Sequence, residues 1–149
     1  GQQKAMRSGT ESLISYESIR LALDEVSKFF NPELSLKNKI QIELALEDLL
    51  RKNVTIVGKN AQRNLNTINF LHHKERADVL LAALDLAGIE ASSGSACSSG
   101  SVLESATIKS MGFKELAAHS IRLSLPLNSS QISTAEIINR LKKALSNFQ

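Results

Sequence analysis

The chain has 149 residues, 42% apolar and 22% charged, the proportions of a compact globular protein; disordered and collagen-like classes are excluded. Its net charge of +3 is the balance of eighteen basic and fifteen acidic residues, the basic ones scattered along the chain, and aromatic residues make up only 4%, so neither a basic stripe nor a base-stacking platform for nucleic acid is expected. No membrane-length apolar run and no basic-then-apolar leader is visible, and the lone cysteine, Cys97, cannot close an internal disulfide, so a reducing, cytoplasmic setting is the expectation.

In chain order, Ile19, Ala22, Leu23, Val26, Phe29 and Phe30 recur at three- and four-residue spacing. This predicts a helix after Thr10 that buries one face and stops at Asn31-Pro32. A second helix is predicted over about 35–52, with Ile42, Ala45, Leu46, Leu49 and Leu50 inward. Residues 54–57 and 66–71 read as short strands, the second alternating only loosely. Helical spacing returns over 75–87 through Leu80, Leu81 and Leu84, and Gly88 stands where a left-handed cap belongs. A brief strand is expected over 89–91. Residues 92–101, Ser-Ser-Gly-Ser-Ala-Cys-Ser-Ser-Gly-Ser, hold no bulky side chain to bury and predict a mobile loop. In 119–125, Ile121, Leu123 and Leu125 alternate with Ser120, Arg122 and Ser124, a strand with one apolar face that Pro126 closes. Ser133-Thr134-Ala135-Glu136 is a capping-box pattern. It opens a last helix with Ile137, Ile138, Leu141, Ala144, Leu145 and Phe148 on its inner stripe. Helices alternating with short strands give an α/β (α+β) fold class.

Three places carry chemistry. Cys97 is the first: structural cysteines are usually buried and inert, whereas this one sits among hydroxyls and small residues where a thiol meets solvent and a thiolate is stabilised. The bland alternative is an incidental surface thiol. Arg122, on the polar face of an apolar strand, is suited to gripping a carboxylate with two parallel hydrogen bonds, or to a plain surface ion pair. Arg7-Ser8-Gly9-Thr10 precedes a helix and resembles an anion site, although Ser8 or Thr10 could simply cap that helix. Other patterns carry less. His72-His73 has the wrong spacing for two ligands on one helix face and reads as a solvated pair at a strand end, and no cluster completes a metal site. Gly58-Lys59-Asn60 lacks the rest of a phosphate-binding loop, and Ser98 and Ser99 do not stand in a nucleophile elbow.

In order and spacing these features resemble one family, the cysteine desulfurases, a branch of the class V aminotransferase-like enzymes that use pyridoxal 5'-phosphate. Residues 1–11, containing Arg7-Ser8-Gly9-Thr10-Glu11, resemble the opening of that family's small domain. Residues 84–89, 92–101 and Met111-Gly112 resemble its active-site loop region, and 119–125 resemble its R-x-S-L strand. The resemblance implies the small C-terminal domain of a fold type I enzyme, a short mixed or antiparallel sheet covered by helices, with residues 1–149 as a single domain lacking the cofactor-lysine domain. It implies that Cys97 attacks the sulfur of L-cysteine and becomes a persulfide while alanine leaves. Arg122 then binds the substrate carboxylate, and Thr10 contacts the cofactor phosphate of the neighbouring subunit in a homodimer. The long serine-rich loop resembles the branch that delivers sulfur to an iron–sulfur scaffold or to tRNA-modifying enzymes.

Departures accompany the match. His73-Lys74 is followed by Glu75-Arg76-Ala77-Asp78 in place of G-P-K-G, so Lys74 is not taken for the Schiff-base lysine. Gln3 stands where glutamate is usual, Pro126 where glycine is, and Val102-Leu103-Glu104-Ser105 where L-E-P-S is. With no cofactor lysine in the chain, a stand-alone sulfur carrier or interaction module is an alternative, and the same residues could serve a selenocysteine lyase or a cysteine sulfinate lyase. The isolated chain is expected to be inactive and to bind no cofactor covalently.

Overall fold

The computed structural model describes residues 12–93, 104–127 and 132–149. Contacts divide the chain into two compact units, Gly1–Phe30 and Asn31–Gln149. Among the described residues no helix is long and apolar enough to cross a membrane.

In the first unit, helix α1 (Leu13–Phe29) is opened by Ser12, whose hydroxyl accepts from the Ser15 amide. Arg20 bridges Glu17 and Asp24 one turn to either side, and Lys28 pairs with Glu25. The predicted helix is present, with Ile19 and Leu23 on one face. Periodicity identifies which face is apolar; it does not supply a surface to cover that face.

The second unit begins with α2 (Pro32–Leu50), three residues earlier than the apolar spacing suggests. Asn31 is its N-cap, accepting from the Leu34 amide at 3.0 Å, and Pro32 occupies the first turn, where its missing N–H costs nothing. The pair that ends one helix therefore starts the next.

Strands β1 (Val54–Ile56), β2 (Thr67–His72) and β3 (Ser120–Ser124) form a three-stranded sheet in the order β1-β2-β3, antiparallel throughout. In register, Ile56 faces Phe70 and Phe70 faces Ile121, while Ile68 faces Leu123. These residues pack beneath α2, α3 (Ala77–Leu86) and α5 (Thr134–Leu145), against Ile42, Leu46, Leu50, Leu80, Leu84, Leu141 and Leu145. Each fully buried side chain of this kind contributes about 1.5–3 kcal/mol. A part-buried bidentate pair, Glu43 with Arg63 at 2.7 and 3.0 Å, ties α2 to the segment after β1. Beside it Lys39 donates to the Asn64 carbonyl, and burial holds its pKa below the usual lysine range.

Helix ends follow their sequence signals. Gly88 adopts φ +73°, with Ile89 N–H bonding Leu84 O and Gly88 N–H bonding Asp85 O, a Schellman motif. Ser133 caps α5 through the Glu136 amide, but the Glu136 carboxylate turns to Arg140, so only half of the capping box forms. The strand predicted over 89–91 does not form. A single bridge, Ser92 to Arg122, takes its place because only Ser92 reaches the outer edge of β3. A short helix, α4 (Ala106–Ser110), and a 3₁₀ turn, Lys114–Leu116, were not legible from spacing, being too short to show a period.

His72 corrects the surface reading of the histidine pair: it is 1% exposed. Its Nε2 donates to the Phe148 carbonyl at 2.9 Å, and its Nδ1 accepts from the Lys74 and Glu75 amides at 3.2 and 2.9 Å. These partners require the neutral ring, and burial lowers its pKa below the ordinary 6.5, partly offset by the Phe148 carbonyl and by Glu75.

Two outcomes follow from this packing. Leu46→Ala is expected to lower the unfolding free energy by about 2–5 kcal/mol, read as a lower urea midpoint. Because the folded pKa of His72 lies below its unfolded value, its contribution to stability is complete above the unfolded pKa and is lost as the pH falls through the folded one. Urea midpoints taken at about pH 7.5 and 5.5 should therefore fall more for the wild-type chain than for His72→Gln; equal losses would contradict the assignment.

Candidate functional site

The alternation that buries Ile68, Phe70, Ile121 and Leu123 turns Thr67, Asn69, Leu71, Ser120, Arg122 and Ser124 to the other face of the sheet. At one end this second face is closed by a small cluster of Val57, Leu71, Ile108 and Ala117 with Phe113 and Leu116, contributed by α4 and the turn after it. Beyond that cover it becomes polar, with Asn69 and Arg122 directly opposite each other and both partly exposed.

The backbone of Arg122 points away from β2. Its N–H donates to the Ser92 carbonyl at 2.7 Å and its carbonyl accepts from the Ser92 N–H at 3.0 Å. Asn69 correspondingly sends its carbonyl toward β1, accepting from Val57 N–H at 2.9 Å. The Asn69–Arg122 pair is therefore the non-hydrogen-bonded kind, in which facing side chains stand closest, with Cα atoms about 4.5 Å apart. On the same face the Ser120 hydroxyl, only 2% exposed, donates to Asn69 Oδ1 at 3.2 Å. Among the described residues no carboxylate pairs with the Arg122 guanidinium.

Ser92 is also the point from which the serine-rich cysteine segment departs. The chain re-enters the described structure at Glu104, and Ser105 N–H bonds Ala117 O at 3.1 Å while the Ser105 hydroxyl caps α4 through the Ile108 amide at 3.3 Å. Both ends of that segment are thus fastened to the stretch that enters and forms β3. Of the three residues singled out in sequence, Arg122 is placed on the polar face and joined through its backbone to the root of the cysteine segment. Cys97 and Thr10 lie outside the described residues. Asn69 and Ser120 escaped the sequence reading; the only signal was a polar residue at an alternating position in a strand, which acquires meaning once the pairing with β3 is known.

Residues 1–135 match the protein family described as Aminotransferase class-V. Cysteine desulfurase IscS 1 of Archaeoglobus fulgidus is 27% identical over 146 residues, covering 97% of this chain and 37% of its own length. Cysteine desulfurase NifS of Azotobacter vinelandii is 31% identical over 142 residues, covering 94% of this chain and 34% of its own. Among solved structures, a NifS-like protein from Rickettsia africae superposes with a TM-score of 0.71 at 29% identity, over 97% of this chain and 38% of the other. The chain spans little more than a third of the length of these relatives.

Proposed function

We propose that this chain, which belongs to the aminotransferase class-V family, supplies the sulfur-accepting and carboxylate-binding part of a cysteine desulfurase. The observation that carries the reading is the paired backbone of Ser92 and Arg122, which roots the Cys97 segment beside a guanidinium on the polar face of the sheet. In the proposed reaction L-cysteine and the Cys97 thiol give L-alanine and a Cys97 persulfide. The substrate C–S bond breaks and an S–S bond forms; the substrate carbon keeps the electron pair and gains a proton, while sulfur is oxidised to the persulfide level. Atoms and electrons balance with no external oxidant.

Arg122 holds the carboxylate by a bidentate, charge-assisted pair, which fixes the β-carbon and its sulfur relative to the strand. Cys97 receives the sulfur and hands it on, with an iron–sulfur scaffold or a tRNA-thiolating enzyme as the acceptor. Enzymes of this family use pyridoxal phosphate, an electron sink for carbon–sulfur cleavage. The described residues do not fit its covalent attachment. Lys39, the buried lysine, sits on α2 against the opposite face of the sheet from Arg122, and its Nζ is engaged by the Asn64 carbonyl. Thr10 is assigned the cofactor phosphate across a homodimer interface, in a cytoplasmic enzyme.

In the cofactor-loaded enzyme containing this chain, Cys97→Ser is expected to cut sulfide release and persulfide formation by about three orders of magnitude or more. Mass spectrometry of the wild type after exposure to L-cysteine should find one added sulfur on the Cys97 peptide. Undiminished sulfide release from the serine variant would sink the mechanism. Arg122→Lys keeps the charge and loses the fork, so KM for L-cysteine should rise about tenfold or more.

A further inference from the structure

We propose that Asn69 is a second donor of the substrate-carboxylate site, its amide nitrogen binding an oxygen of the carboxylate that Arg122 grips. The inference rests on Arg122 holding a substrate carboxylate.

The two side chains face each other at a non-hydrogen-bonded position of β2 and β3, where cross-strand neighbours approach most closely. The Asn69 amide is oriented by a neighbour on the same face. Its Oδ1 is held by the hydroxyl of Ser120, which is buried beside Leu71 and shielded from competing water. A planar amide anchored through its oxygen turns its two N–H donors to the other side, away from Ser120. Among the described residues, the one hydrogen bond of the Asn69 side chain is through its oxygen, and none is made by that nitrogen. The chemistry is complementary: an ionised carboxylate offers about four lone-pair positions, and a guanidinium fork uses only two. A neighbouring amide N–H then makes a further charge-assisted bond to one of the remaining lone pairs. Local preference gives no other reason for the residue, since asparagine is depleted in strands and β2 is the central strand of the sheet. By the same geometry Ser120 is a positioning residue, acting on substrate only through Asn69.

The test uses the cofactor-loaded enzyme containing this chain, with L-alanine as the carboxylate probe and L-cysteine as substrate. Asn69→Ala is expected to weaken L-alanine binding and to raise KM for L-cysteine by about tenfold, with kcat changed by less than about twofold. Asn69→Asp has nearly the same shape but sets a negative charge against the substrate, so its loss should be larger. If Asn69→Ala does not fold, the aspartate variant decides alone. Unchanged L-alanine affinity in the Asn69 variants, with Arg122→Lys still weakening binding, overturns the assignment of Asn69 and leaves the carboxylate site standing. If Arg122→Lys is equally without effect, the carboxylate site and the Asn69 assignment fall together. A fall in kcat with affinity and KM unchanged also overturns the proposal, because it places Asn69 in support of the structure and not on the substrate.

Discussion

Strand β2 is bonded along both edges, to β1 on one side and β3 on the other, and this leaves its side chains only two directions. Phe70 fixes the choice, since it is opposite Ile56 and Ile121 at once and has no exposed surface. A slip of one residue in either ladder would lift Ile68 and Phe70 out of the core and drive Asn69 beneath α2, α3 and α5, a loss of several buried side chains together. The outward position of Asn69, and with it that of Arg122, is therefore enforced by the hydrophobic core on the far side of the sheet. Polar residues that would gain little from the sheet themselves are held in place by neighbours one position along the chain.

The same logic governs the cysteine segment. Its upstream end is set by a sequence of local devices: the Schellman turn at Gly88 stops α3, Ile89 packs against the core, and Ser92 reaches the free edge of β3 with just one residue of pairing. Its downstream end is set by Ser105, which bonds Ala117 and caps α4. Ala118, next in line, accepts from the Ala77 amide at the start of α3. The strand carrying Arg122 is thus the common support for both roots, and a distortion of β3 would disturb all of them at once.

Much of this fold was legible in the sequence because the helices of the second unit are amphipathic and their caps are local. The stripe of α5, the glycine after α3 and the alternation of β3 each depend on residues within a few positions of one another. What was missed depends on distance or on partners. His72 looked like a surface residue because its acceptor, Phe148, is 76 positions away and no local pattern announces it. Its neutral ring joins the end of β2 to the last turn of the chain and caps the turn leading to α3. The Lys39 contact with Asn64 and the Glu43 pair with Arg63 are non-local in the same way. Asn69 was visible only as an imperfection in an alternating run, since its facing residue lies on a strand that sequence alone cannot pair.

The proposed desulfurase role asks opposite things of Arg122 and Cys97. The carboxylate grip must meet the same atoms in the same geometry at each turnover, where an error near 1 Å is costly. Arg122 has buried residues on both sides in sequence, Ile121 and Leu123, so its backbone cannot shift without opening the core. The sulfur acceptor must meet a substrate and then a different molecule. Cys97 is five residues beyond Ser92 in sequence. On that proposal, the bridge from Ser92 to Arg122 is where the strand that fixes the carboxylate grip meets the start of the cysteine segment.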